Sequence, residues 1–389
     1  MAEASYDVIV VGAGIIGAST AHFLKKKGVD RVLLIDRGDP ASGGTGKSAA
    51  IVRSYYSIPV MARLAKEAVK LFHNLEAEIG IDGGFHATGF TQLVPPDWVD
   101  TAKELVAMHQ SLDIDTDFVD ESQWANRFPW LEPNGIGAIV MENSSGYADP
   151  VQTTEGFVAA FTAAGGDFRS RTPVRGLTRA GDRITGILLE DETIASGAVV
   201  NAAGPFADSV ANLAGVVTDS RHVLSKGVHL VTQRLVDTAR VLAFFADDGR
   251  PFFVIPLGHC SSIGTTDTPV AAPTGTVSQA DRDFIMDNIN ARLDLRRPLS
   301  RDEVISERCG VRPLAVGTVQ PPDGDFLSLS RKHVIDTDVE NAFVSIFGGK
   351  LTDCLEVGAQ VRDTVLALGL ADPANPRCWY GEESSRNRE

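Results

Sequence analysis

The residues best placed to do chemistry in this chain are three glycines, Gly12, Gly14 and Gly17, and one acid, Asp36. Together they can hold a pyrophosphate and a ribose. Gly12 permits a tight turn, Gly14 lets the backbone approach a pyrophosphate, and Gly17 lets a helix pack closely on a strand, while the helix N-terminus offers unpaired N–H groups and partial positive charge to the anion. Asp36 would accept from a ribose hydroxyl. A lone G-x-G-x-x-G carries little weight. Here the apolar run Val8-Ile9-Val10-Val11 precedes the glycines, a helical pattern follows and stops at Gly28, and a second strand at residues 31–35 delivers the acid. That order is what a dinucleotide-binding βαβ unit requires.

The elements that must position such a site set the frame. At 389 residues the chain exceeds the ~250–300 at which single cores stop growing, so two domains are expected. With 36 Lys+Arg against 51 Asp+Glu the net charge is −15, which disfavours nucleic acid and acidic membrane surfaces and leaves any anionic ligand to local charge. The cysteines Cys260, Cys309, Cys354 and Cys378 are far apart, without a C-x-x-C or metal-ligand spacing, so neither a disulfide framework nor a metal site is expected. A reducing cytoplasm fits. No apolar stretch reaches the ~18 residues of a membrane span.

After residues 37–50, rich in Gly and Ser, Pro59 opens a helical pattern whose apolar positions Val60, Leu64, Ala68, Leu71, Leu75 and Ile79 read as one core-facing stripe. Ala148-Asp149-Pro150 leads into a helix at residues 153–164, stopped by Gly165-Gly166. Residues 198–201 form a buried strand running into Ala202-Ala203-Gly204-Pro205, and residues 222–269 alternate like an antiparallel sheet with a hairpin turn at Asp247-Asp248-Gly249. Phe343-Val344-Ser345-Ile346-Phe347 runs into Gly348-Gly349-Lys350 and then a helix to about Leu368. The fold class expected is α/β, α+β mixed, with a Rossmann-like cofactor domain at 1–85, 146–221 and 325–380, an interleaved antiparallel-sheet substrate domain at 86–145 and 222–324, and a disordered tail at 381–389.

Gly12 to Gly17 with Asp36, then Asn201-Ala202-Ala203-Gly204-Pro205 with Ala207-Asp208, then Gly348-Gly349-Lys350 together resemble the FAD-dependent D-amino acid oxidase superfamily over nearly the whole chain. The first half, with Arg53-Ser54-Tyr55-Tyr56 and Gly146-Tyr147-Ala148-Asp149-Pro150, looks like the sarcosine and dimethylglycine oxidase branch. The second half, with Gly227-Val228-His229, Gly310-Val311-Arg312-Pro313-Leu314 and Gly349-Lys350-Leu351-Thr352, looks like flavin-dependent glycerol-3-phosphate dehydrogenase. The resemblance implies FAD held by Gly12, Gly14, Ile15, Ile16, Gly17, Asp36 and Arg37. It also implies Gly43, Gly44, Thr45, Gly46, Lys47, Ser48 and Ala49 around the pyrophosphate and ring, Val174 at adenine, and Ala202, Ala203, Gly204, Arg312, Gly348, Gly349, Lys350, Leu351 and Thr352 nearby.

On the substrate side it implies Arg53, Tyr55, His229, Arg312 and Lys350. Each basic residue can instead serve a structural ion pair, Tyr55 can simply pack, and His229 reads equally as a satisfied core residue. Relatives tether FAD through a His after the glycine-rich loop or a Cys near the arginine motif. Lys47-Ser48-Ala49-Ala50 holds no His, and Cys309 sits in the sequence context of the non-covalent branch, so non-covalent FAD is expected. The expected reaction is hydride transfer to flavin N5 from the CH–NH group of a small anionic, amino-acid-like substrate; the alternatives are CH–OH oxidation of glycerol 3-phosphate or a 2-hydroxy acid, and a flavin subunit that only relays electrons. Ser262 stands where an oxygen-activating lysine is found in monomeric sarcosine oxidase, so a quinone or electron-transfer protein is expected to outpace oxygen as electron acceptor.

Overall fold

The computed structural model describes residues 5–80, 82–132, 134–318 and 333–369. The tail expected at 381–389, and residues 325–332 and 370–380 of the expected cofactor domain, lie outside them. Val8 to Val11 fall in the strand Ser5–Val11, where a run of β-branched residues suits a strand covered on both faces. It pairs in parallel with Val32–Ile35 on one side and Thr193–Asn201 on the other, and the latter pairs in parallel with Phe343–Phe347. Among the described residues this sheet has eight strands, with antiparallel extensions at its margins. Because four neighbouring strands point the same way, the residues that follow each of them gather at one edge. Gly12, Asp36, Ala202 and Gly348 are those residues.

Helices Ile15–Lys26, Pro150–Ala163 and Cys354–Ala367 cover one face of the sheet around Phe23, Phe157 and Phe161. The other face packs Ile9, Leu33, Val199 and Phe343 against Val210 and Ala214 of the helix Ala207–Ala214. The stripe expected after Pro59 is corrected here. The helix Pro59–His73 breaks at Asn74 before Leu75–Ile79, and it buries Ala62, Val69 and Phe72, leaving Val60 at 66% and Leu64 at 54% exposure. Two apolar stripes lie side by side on this helix, and among the described residues none covers the first turn of the outer one.

A second sheet, of nine strands among the described residues, is mostly antiparallel. Its axis is Ser220–Gln233, paired along its length with Val304–Gly317 and on its other side with Cys260–Gly264 and Thr268–Val270. The expected hairpin joins Val241–Phe245 to Pro251–Leu257, with Gly249 at φ +82° in the turn. Strand alternation splits the axis strand into two chemistries. Val228 and Leu230 enter a core with Trp124, Phe252, Ile263 and Ile285, while Gly227, His229 and Val231 share the opposite face.

The contact that seats the first helix is tight. A Cβ on Gly358 would lie 2.8 Å from Phe23 Cδ2 and 3.0 Å from Ser19 Oγ. Gly358→Val should therefore overpack the two helices and destabilise the fold by about 1–3 kcal/mol, read as a lower urea midpoint at unchanged slope, with Phe23→Leu partly relieving it. An unchanged midpoint would refute the packing.

Candidate active site

At the carboxyl edge of the parallel sheet the backbones touch. Gly12 has φ +111° and a Cβ there would sit 2.4 Å from the Ala202 carbonyl oxygen; one on Gly17 would sit 1.8 Å from the Gly12 carbonyl oxygen. Asp36 first secures this loop, its Oδ2 accepting from the Ala13 N–H at 2.6 Å and its Oδ1 from the Gly38 N–H at 2.7 Å. Each oxygen keeps a second lone pair for a ligand. The helix Ile15–Lys26 starts at Gly14 with no side-chain cap and no acid in its first turn, and the Ile15 N–H meets Thr45 Oγ1 at 3.2 Å. Thr45 stands where an anion's oxygen would.

Of the other cofactor candidates, Gly349 also reaches that helix, at Ile16. Gly43 and Gly204 face open space, Gly44 lies against the Val311 carbonyl, and Gly46 packs on Ala41 so closely that a Cβ would come within 2.5 Å of its carbonyl oxygen. Lys47 is exposed beside Gly310, Ser48 Oγ accepts from the Ala50 N–H at 3.0 Å, and Ala49 joins the apolar cluster around Phe90. The Arg37 guanidinium stacks on Phe206 at 3.7 Å, and Val174 packs in one cluster with Ala203. Buried Asn201 donates to Ser345 Oγ at 3.0 Å and to the Ala207 carbonyl at 2.9 Å, joining the second and third motifs. Gly348 and Gly349 both have positive φ; a Cβ on Gly349 would lie 3.3 Å from Ile16. Leu351 is buried, and Thr352 Oγ1 meets Asp353 Oδ1 at 3.2 Å.

Of the substrate-side candidates, Arg53 and Lys350 are brought to one aromatic ring. Arg53 lies over Tyr56 at 4.8 Å and over Phe90 at 5.2 Å and donates to the Tyr55 carbonyl, while Lys350 Nζ lies 5.8 Å from the same Tyr56 ring. Two buried side chains pin this segment. The Ser54 N–H donates to Glu142 Oε1 at 2.8 Å, and His109 Nε2 donates to the Tyr56 carbonyl at 2.9 Å. Burial pushes the Tyr55 hydroxyl up to about 12 against the pull of Arg53, with Glu142 adding to the rise. Tyr55 therefore stays protonated, a donor and not a base.

Arg312 is held on the antiparallel sheet. Its guanidinium covers Gly227, where a Cβ would come within 2.2 Å, and it donates to Thr265 Oγ1 at 2.6 Å and the Thr266 carbonyl at 3.1 Å, with Asp267 Oδ1 at 3.4 Å. The ion-pair reading of Arg312 thus holds whatever else it binds. His229, on the same face, is 4% exposed and its Nε2 is buried without a partner among the described residues. Burial first, then Arg312 and Arg308, lower its pKa to about 3, so the ring is neutral. Ser262 is buried on this face too, paired with Val231. Cys309 is paired with Val228 and turns to the opposite face beside Lys226 and Gly275, where burial pushes its thiol up. A cleft of about 360 Å³ between Trp130 and Glu303 holds none of these residues.

Residues 7–351 match the family of FAD dependent oxidoreductases named DAO, and the chain belongs to it. It is 26% identical to the mitochondrial glycerol-3-phosphate dehydrogenase of Mesocricetus auratus over 93% of this chain and 53% of that protein; the chain spans about half the length of such relatives. Its fold is similar to the FAD complex of glycerol-3-phosphate dehydrogenase from Bacillus halodurans, with a TM-score of 0.75 at 23% identity over 96% of this chain and 67% of that one. Glycine oxidase from Bacillus cereus gives 0.71 at 20% identity over 93% and 95%. The protein is an FAD-dependent oxidoreductase. The residues present fit that cofactor, because glycines that no side chain could replace line the uncapped helix end and Gly43 and Gly204 leave space open beside it. Among the described residues no helix is long and apolar enough to cross a membrane.

Sequence patterns did not single out Glu142, His109 or Arg308, while Tyr56 stood within Arg53-Ser54-Tyr55-Tyr56 and Asp267 closed the dehydrogenase-like run Ile263-Gly264-Thr265-Thr266-Asp267 without a role of its own. The state of His229 has a measurable consequence. The unfolded chain protonates it near 6.5 and the folded one only near 3, so between those values the unfolded state binds more protons and stability falls as pH drops. His229→Gln should lose less stability than the parent between pH 7.5 and pH 5, by urea unfolding at each; equal losses would place the ring in water.

Proposed function

We propose that this oxidoreductase is a dehydrogenase acting on the CH–OH group of a small substrate that carries a phosphate or carboxylate, glycerol 3-phosphate being the model for its class. The observation that carries this is buried, neutral His229 with an unpartnered Nε2 beside the Arg312 guanidinium. Oxidising an alcohol requires a group to take the hydroxyl proton, and among the substrate-side residues His229 is the neutral base. FAD supplies the hydride acceptor when bound. The hydroxyl proton passes to His229 Nε2 as the C–H leaves with its electron pair, and the product is the carbonyl compound. Arg53 and Lys350 bind the anion and Tyr55 donates a hydrogen bond to it. Arg312, oriented by Asp267, holds the substrate against His229. Seating an anion near Arg312 offsets one of the charges that depress His229, so the base strengthens when substrate arrives.

The cofactor roles assigned above to Gly12 through Arg37, Gly43 through Ala49, Val174, Ala202 through Gly204 and Gly348 through Thr352 belong to the same proposal. So does the division of the chain into a cofactor domain and a substrate domain. A second reading, CH–NH oxidation, is favoured by the apolar wall of Phe90, Val241, Phe253 and Ile255, which would hold an amine uncharged. Ser262 in place of a cation supports slow reaction with oxygen and faster transfer to a quinone or electron-transfer protein.

An anaerobic panel read by flavin bleaching separates the readings. Glycerol 3-phosphate or a 2-hydroxy acid should bleach faster than any N-methyl or D-amino acid, and Arg53→Leu should lower kcat/KM for the best substrate at least ~10-fold, the effect of losing a charge-assisted contact of roughly 1.5–3 kcal/mol. Faster bleaching by an amine would install the second reading. FAD should also leave the protein on acid precipitation, since Cys309 faces away from His229; flavin retained in the pellet would overturn non-covalent binding.

A further inference from the structure

His222 belongs to neither the glycine motifs nor the substrate-side cluster, yet it ties the two sheets together at the proposed flavin. It lies on the antiparallel axis strand, while Gly348 follows the parallel strand Phe343–Phe347. The Gly348 N–H donates to His222 Nε2 at 3.2 Å, across 126 residues of sequence. The His222 side chain is 1% exposed and its ring lies 4.9 Å from that of Phe347. A backbone N–H only donates, so Nε2 carries the lone pair and the ring proton sits on Nδ1. Nδ1 is 2.8 Å from Asp208 Oδ2 but out of line for a hydrogen bond, and the same carboxylate accepts the His222 backbone N–H at 3.3 Å. Asp208 stands on the helix Ala207–Ala214, which follows the Ala202–Gly204 turn. One ring therefore links the second cofactor motif to the third.

We propose that His222 is a positioning residue for the cofactor: held by Asp208, it anchors the Gly348–Gly349 turn and thereby sets the affinity and reduction potential of the bound flavin. The Gly348 N–H is committed to the protein. The next two N–H groups, of Gly349 and Lys350, have no acceptor among the described residues and are the donors left for the carbonyl end of the ring, where negative charge accumulates on reduction. A turn that slips at Gly348 carries both donors with it. The inference is independent of which substrate is oxidised, and it rests on the assignment of this turn to the flavin.

The test compares His222→Phe, which keeps the ring against Phe347 and loses the acceptor, with His222→Gln, which keeps an acceptor, and with Asp208→Asn. Three quantities are read: amide exchange at Gly348 in the apoprotein, the FAD dissociation constant, and the midpoint potential of the bound flavin. His222→Phe should speed Gly348 exchange, weaken FAD roughly three- to tenfold, the effect of one net hydrogen bond, and shift the potential. His222→Gln should stay within about twofold of the parent in affinity. If His222→Phe does not fold, Asp208→Asn decides: faster Gly348 exchange with a shifted potential supports the proposal, and no change in either overturns it. Unchanged affinity and potential in His222→Phe overturn it as well. Faster exchange with an unmoved flavin would overturn it at a different point, by removing the turn from the cofactor while leaving the hydrogen bond intact.

Discussion

Everything at the carboxyl edge of the parallel sheet depends on backbones meeting without side chains between them. Four parallel strands bring their carboxyl ends to one edge, and at that edge Gly12, Ala202 and Gly17 lie so close that a single added methyl at Gly12 or Gly17 would collide with a carbonyl oxygen. This crowding fixes the helix N-terminus relative to the sheet. It also explains the inward use of Asp36, whose carboxylate satisfies two loop N–H groups that tight packing leaves without other partners.

The antiparallel sheet solves a different problem, how to hold charge near a buried neutral histidine. Alternation along Ser220–Gln233 sends Val228 and Leu230 to a dry core and keeps Gly227 and His229 on the other face. Gly227 makes room for the Arg312 guanidinium, and Asp267 with two threonines satisfies it. Charge is balanced locally on the core side as well, where buried Lys226 is paired with Asp281. Such a pair adds little net stability but fixes geometry, because removing either partner would strand the other charge.

The glycine motifs were legible in the sequence because their demands are local: a turn with positive φ, a close approach, and a helix start all fall within a few residues. The strand alternation and the Gly249 hairpin were legible for the same reason. Val60 and Leu64 misled because periodicity marks an apolar stripe without saying which stripe meets a neighbour. The meeting of Arg53 and Lys350 on Tyr56, and of Arg312 with Asp267, depends on distant segments arriving together. A basic residue in a motif announces charge; it does not announce the acid that the fold will place beside it.

The contact between Gly358 and Phe23 carries a consequence for how the molecule is made. The first long helix is sealed by the last described one, and the first strand finds its partners at Thr193–Asn201 while that strand finds its own at Phe343–Phe347. Pairings of such high sequence separation form slowly and only after the intervening chain exists. On the ribosome, then, the segment with the glycine loop emerges well before the strands and helix that complete it, and its apolar face stays uncovered until they arrive.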